Sequence, residues 1–397
     1  MRYSFRLAAI IGPAAITLAS CSYAQTGDSA AIPDPIAGTA VELEDGSPFA
    51  AQAYINLNEG WAIAIEPGTG NLLITEKGGT AKFFRPDSGT TLEVTGLPEI
   101  AYGGQAGLGD VAFAPDYAES GTVYLSWAKA DEGSARRAVA GRGTFACSQD
   151  SCAITGLTQI WQQEPAIESF GHFSHKLAFS PDGSHLFITS GDRMQQDPAQ
   201  DLSNNLGSVV RLNLDGSPAE GNPFADQGSP TNQIWSYGQR NLLGIAFDNG
   251  GQLWEIEHGP RGGDELNMVE AGNNYGWPVR SNGDNYSGVD IPDHTADDGF
   301  VKPAIFWNPV IAPGDMIFYS GAMFPDFQGQ ALIAGMNPSA IVRVATNSAD
   351  GSATEEARYA FPQRLRDLAE ADDGSIWVVE DTPDGRLLRL TANTSEQ

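Results

Sequence analysis

Apolar residues recur at alternate positions in short runs along this chain. Each run breaks at a turn rich in Pro, Asp or Gly before a second apolar run begins. A period of two turns one face of a strand inward, and the turn residues reverse the chain, so each unit predicts a β-hairpin. Six copies are readable. They are WAIAIEPGTGNLLITEK from Trp61, GDVAFAPDYAESGTVYLSW from Gly109, KLAFSPDGSHLFITSGD from Lys176, GIAFDNGGQLWEIEHG from Gly244, MIFYSGAMFPDFQGQALIAG from Met316 and LAEADDGSIWVVED from Leu368. Their spacing of roughly 45–75 residues suits blades of about four strands around a channel. The expected fold is all-β, a six-bladed β-propeller. A β-sandwich with long loops fits six evenly distributed hairpins less well, and no long amphipathic helix is visible. The loops at one end of such a channel are where a site is expected.

Length allows one large domain or two ordinary ones, and 46 glycines among 397 residues favour strands and loops over a helical bundle. At the N-terminus, Arg2 and Arg6 precede an apolar run from Leu7 to Ala19, too short and wrongly flanked for a membrane span. It reads as an export leader. Ser22-Tyr23-Ala24 fits an ordinary cleavage site, whereas Leu18-Ala19-Ser20-Cys21 resembles a bacterial lipobox whose cysteine becomes lipidated. The second reading is preferred and predicts a periplasmic or outer-membrane-anchored lipoprotein, attached to membrane only through Cys21. Thr26–Pro48 is polar and rich in Ala, Gly and Pro, like a linker. The predicted organisation is leader 1–24, linker 25–50 and folded domain 51–392. Cys147 and Cys152, in CSQDSC, are expected to pair in an exported protein, since a metal site lacks a second ligand pair.

With 22 basic and 50 acidic residues the net charge is −28, which would repel a nucleic-acid backbone. Against that background, clustered arginines stand out. Arg240-Asn241 lies in IWSYGQRNLLGIAFD, and Arg364 and Arg366 alternate in QRLRDL, so the latter two share a strand face and are able to meet one anion. His172, in GHFSHKLAFSPDG just before an inner-strand pattern, is placed to accept a proton as a neutral imidazole. The segment from Trp254 to Pro278, WEIEHGPRGGDELNMVEAGNNYGWP, combines four tight-turn residues with acids and amides. Asp264 and Glu265 beside exposed carbonyls form the all-oxygen surroundings that calcium favours.

These segments together closely resemble the soluble pyrroloquinoline-quinone (PQQ)-dependent aldose and glucose dehydrogenases, over most of the mature chain. The resemblance implies PQQ and calcium as cofactors, an aldose oxidised at its anomeric carbon to a lactone, and an external electron acceptor. It leaves the oligomeric state between monomer and homodimer. It places His172 on the catalytic base. Gln105, Arg240, Asn241, Arg364 and Arg366 fall on cofactor-binding positions, with His258 where the glucose enzymes have glutamine. Gly259 and Pro260 fall where main-chain carbonyls hold the cofactor's calcium. Glu265 and Tyr275 fall where related aldose dehydrogenases bind a second, structural calcium. Two departures stand out. Ser174-His175-Lys176 replaces the usual Gly-Gly-Arg, and Asn337 stands where a quinone-contacting lysine is usual, which implies weaker cofactor binding. Two other readings stay open: a calcium-dependent lactonase on the same architecture, and a non-catalytic propeller that binds sugar or protein. The three arginines argue against the first, and the conjunction of His172, Arg240 and the acidic loop against the second.

Overall fold

A computed structural model describes residues 38–393; the leader, Cys21 and the first half of the expected linker lie outside them. The chain is all-β, and the one α-helix among the described residues is the single turn Tyr117–Ser120. All six expected hairpins form. Their first strands are Gly60–Ile65, Leu108–Phe113, Ser174–Phe179, Leu242–Phe247, Pro313–Phe318 and Leu365–Glu370, each antiparallel to the strand after its turn. Three hairpins extend into separate four-stranded sheets. Two others join as one eight-stranded sheet through a short parallel contact, Cys152 with Val94 and Ala153 with Thr95. The fifth sheet is built from both ends of the described chain, because Asp384–Ala392 pairs along Phe49–Asn58. Cys147 and Cys152 are disulfide-bonded across a hairpin tip.

The folded region begins earlier than expected. Thr39–Val41 pairs with Ala51–Ala53, and Phe49 is buried against Phe324, Phe327 and Tyr359. Residues 39–41 and 49–50 are therefore sheet, joined by the turn-containing segment 42–48, so this part of the expected linker belongs to the fold. One aromatic anchor outweighs the polar composition around it, because burying such a side chain stabilises by about 1.5–3 kcal/mol.

The six first strands contact one another in chain order, and the last meets the first, so they close a circuit. Each carries a register shift near its start. Such a bulge re-aims the side chains beside it. The third residue of each strand occupies an equivalent place: Ala62, Asp110, Lys176, Gly244, Asp315 and Asp367. Four of these meet. Lys176 Nζ lies 3.2 Å from Asp110, 2.8 Å from Asp315 and 3.4 Å from Asp367, and all four residues are buried. The carboxylates also tie strand to strand. Asp110 Oδ2 accepts the Leu177 N–H and Asp367 Oδ2 accepts the Ile63 N–H, each from the next strand of the circuit. Burial alone would lower the Lys176 ammonium, but the three carboxylates outweigh it and hold its pKa well above the ordinary lysine value. Burial, and then the charge of Asp367, push Asp315 well above the carboxylate range.

Candidate active site

His172 lies two residues before the strand Ser174–Phe179. Its ring Nδ1 lies 2.6 Å from Asp192 Oδ1, at the far end of the same hairpin. Asp192 is fully buried and also accepts from the Trp277 indole N–H (2.7 Å) and the Met194 N–H (2.8 Å). Burial by itself would raise this carboxyl, but the His172 hydrogen bond and the Arg240 charge, with Trp277, hold it below its ordinary value. An ionised Asp192 fixes the proton on Nδ1 and leaves the lone pair on Nε2. Burial pushes the His172 pKa down, and the cations Arg240 and Arg193 add to this against the pull of Asp192. The ring is thus neutral at neutral pH and oriented as a base. Asp192 escaped the sequence reading, although it closes the third hairpin motif.

The backbone around this pair is strained. Nine non-glycine residues have positive φ among the described residues, and six of them lie in two short stretches, 172–175 and 193–196. Such conformations cost of order 1–3 kcal/mol each and gather at functional sites. Ser174 (φ 58°) and His175 (φ 61°) stand where the resembling family has glycines, which take this conformation freely. Their side chains compensate. Ser174 Oγ donates to Asn241 Oδ1 at 3.3 Å, and His175 Nδ1 lies 2.7 Å from Ser126 Oγ. His175 is buried, and burial pushes its pKa down to about 3. Its ring takes the space beside Gly109, where an added Cβ would stand 2.0 Å from His175 Cε1. Arg193, fully buried, braces the preceding loop by donating to the carbonyls of Gly171, Ser169 and Arg136.

A cavity of about 240 Å³ is lined by five of the six expected cofactor-binding residues: Gln105, Asn241, His258, Arg364 and Arg366 directly, with Phe173–His175 beside them. Gln105 Oε1 accepts the His172 N–H at 2.6 Å, which joins the base to the cavity wall. Arg364 and Arg366 do converge on one anion, but it is the protein's own Asp381, which each engages through Nε at 2.8 Å. The sixth residue, Arg240, lines a small neighbouring cavity with Gly259, Glu265 and Tyr275; His258 lines both. Arg240 donates to the carbonyls of His258 (2.9 Å) and Gly259 (2.8 Å). Its backbone N–H and that of Asn241 are both held by the buried Glu257 carboxylate, another residue the sequence reading did not single out. Burial raises Glu257 to about 7 against those two hydrogen bonds. The exposed Asn337 is not part of the cavity lining; its neighbour Met336 is.

Asp264 is not available to a cation as expected. Its Oδ1 accepts the Gly259 N–H, and its Oδ2 accepts from Ile311 (2.9 Å) and Ala312 (2.6 Å), so it braces the loop. Glu265 is different. Pairing of Leu253–Glu257 with Asp264–Val269 sets Glu257 opposite Glu265 and Glu255 opposite Asn267, on one buried face. Burial and the Glu257 charge push both Glu255 and Glu265 well above the carboxylate range. Glu255 Oε2 and Asn267 Oδ1 are buried acceptors without a donor. Among the described residues no three His, Cys, Asp or Glu side chains converge as a ready metal cage. A cation here would need carbonyls as well, and an all-oxygen set with orphaned acceptors fits calcium. The Tyr275 hydroxyl donates to Met268 O at 2.6 Å and accepts from the Glu270 N–H at 3.0 Å.

A family model described as glucose/sorbosone dehydrogenase matches residues 57–389. Aldose sugar dehydrogenase YliI of Escherichia coli is 35% identical over 356 residues, spanning 86% of this chain and 94% of that protein. The apo crystal structure of the soluble aldose sugar dehydrogenase from Escherichia coli superposes with a TM-score of 0.82 at 32% identity, covering 87% of this chain and all of that one. The PQQ-bound aldose sugar dehydrogenase of Streptomyces coelicolor gives 0.69 at 25% identity, covering 87% and 99%.

Proposed function

The chain belongs to the glucose/sorbosone dehydrogenase family, and from that premise we propose that it oxidises aldoses at the anomeric carbon to lactones, using PQQ and calcium on a six-bladed propeller. The observation that carries this reading is a neutral, carboxylate-oriented histidine tied to the wall of a cavity flanked by arginines. His172 Nε2 takes the proton of the anomeric hydroxyl as the hydride leaves the same carbon. Asp192 holds the ring in the required tautomer and stabilises the imidazolium that results. Arg364, Arg366, Gln105, Asn241 and His258 bind the cofactor's polar edge, with Arg240 in the neighbouring cavity. PQQ, when bound, would supply the hydride acceptor, and the Gly259 and Pro260 carbonyls would hold the calcium that polarises it, with Gly259 O shared with Arg240. The electrons would pass on to an external acceptor.

Purified protein supplied with PQQ, calcium and an acceptor dye is expected to oxidise simple aldoses. Dye reduction that is no faster with PQQ than without it would reject the assignment. Export through the leader, with lipidation at Cys21, belongs to the same proposal, and intact-mass analysis of protein from the native host tests it.

Calcium at Glu265 and Tyr275 has a pH signature. The carboxyls of Glu255, Glu257 and Glu265 are raised in the fold, so their contribution to stability is present below the unfolded glutamate value. It is lost as pH climbs through the folded ones, which for Glu257 is about 7. Calcium needs the ionised forms and offsets that loss. The melting-temperature gain on adding calcium is therefore expected to be larger at pH 8 than at pH 5.5, and to shrink in Glu265→Gln. A gain independent of both pH and Glu265 would remove the ion from this face.

A further inference from the structure

Lys77 follows the strand Leu72–Glu76 and precedes Gly78-Gly79, where the sequence marks only a turn. In the fold it lines the same cavity as Arg364 and Arg366. It also lines an adjoining cleft of about 240 Å³ that includes Glu59 and Asp381. Its backbone is fixed: the N–H donates to Glu59 O at 2.9 Å, and the carbonyl accepts from Leu108 at 3.0 Å. A Cβ added to Gly107 would stand 2.5 Å from Lys77 Cγ, so the stem runs hard against that glycine.

The side chain is only 16% exposed, yet its ammonium is loosely held. Nζ stands 3.5 Å from Glu59 Oε1 and 5.5 Å from the centre of the Tyr102 ring. Glu59 is itself shared, since its other oxygen accepts the Tyr102 hydroxyl at 2.5 Å. The other well-covered lysines are better served. Lys82 has two carboxylates at 3.1 Å, and Lys176 has three within 3.4 Å. An ammonium carries three donors and is strongly hydrated when free. One that is mostly covered, with a single long ion pair, still has capacity for an anion in the cavity it faces.

We infer that Lys77 is a carboxylate-binding residue of the cavity, with Glu59 as its resting counter-ion. The inference rests on the proposed cofactor reading, in which the bound anion is the polycarboxylate PQQ. It also bears on Asn337: the cation absent from that loop is supplied from a different one. A sugar acid in the adjoining cleft would present the same chemistry.

Calorimetric titration of calcium-loaded protein with PQQ separates these cases. Lys77→Met is expected to weaken PQQ binding about ten- to a hundredfold and to flatten its dependence on salt, as loss of a charge-assisted contact does. Lys77→Arg keeps the charge and is expected to bind within a few-fold of wild type. Apo melting temperatures control for folding, and a Met variant that binds weakly beside an Arg variant that binds normally identifies the charge as the cause. A second arm compares KM for glucose and glucuronate. If PQQ affinity is unchanged in Lys77→Met but KM rises for glucuronate alone, Lys77 holds a carboxylate of the substrate. If PQQ affinity and both KM values are unchanged, the inference is overturned while the cofactor reading stands. Wild type that binds no PQQ overturns the cofactor reading, and this inference with it.

Discussion

Replacing His172 by glutamine is expected to slow aldose oxidation by about 10²–10⁴-fold, the usual worth of a positioned acid–base group, with much less effect on PQQ binding. Glutamine fills a similar volume and keeps an amide toward Asp192, but it has no lone pair basic enough to take the hydroxyl proton. The pH profile gives an independent sign. Burial and the Arg240 and Arg193 charges depress the His172 pKa, so the base is already neutral below the ordinary imidazole value. The kcat/KM of wild type should rise as pH climbs through that depressed value and stay flat above it. Asp192 pulls the pKa upward, and Asp192→Asn removes this pull along with the tautomer lock. That variant should lose turnover while its acid limb moves to lower pH. A His172→Gln enzyme with near-full turnover would take His172 out of the chemistry.

Lys176→Met is expected to lower the stability of the fold by about 3–5 kcal/mol, the cost of leaving buried charge uncompensated. Removing the ammonium leaves Asp110, Asp315 and Asp367 facing one another without a cation at the centre of the strand circuit. The carboxyls of Asp110 and Asp315, already raised by burial, would then titrate higher still in the folded state. The loss should therefore be largest above those raised folded values and fade as pH falls through them toward the unfolded aspartate value. Lys176→Arg, which restores the charge that the resembling family carries here, should recover most of the stability. Urea unfolding at pH 7 and pH 4 measures all three proteins. A Met variant as stable as wild type at pH 7 would show that the cluster is not held by its charge.

The hairpins were legible because each repeats a local grammar of alternating apolar residues and a turn, and six spaced repeats suit a closed arrangement. What was not legible is where distant residues meet. Asp192 lies twenty positions after His172, and only the pairing of Ser174 with Ser190 brings them together. Asp381 reaches Arg366 because Leu365 pairs with Glu380. Asp264 and Glu265 look alike in sequence, but successive strand residues point to opposite faces. One therefore braces backbone amides and the other joins the acidic face. The central cluster did leave a signal. Aligning GDVAF, HKLAF, GDMIF and RDLAE by column puts Asp110, Lys176, Asp315 and Asp367 in register, and opposite charges in one column of a closed repeat imply contact. Lys77 left none, because its role depends on Gly107, Glu59 and Tyr102 from other segments.

The central claim is that this chain binds PQQ with calcium and passes sugar hydride to it with His172 as the base. An anaerobic absorbance titration tests it most directly: protein reconstituted with PQQ and calcium is mixed with glucose, and reduction of the bound cofactor is followed in wild type and His172→Gln. The account predicts that both proteins hold PQQ after desalting, and that only wild type reduces it rapidly. Failure of wild type to retain PQQ at high micromolar concentration, or equal reduction rates in the two proteins, would contradict it.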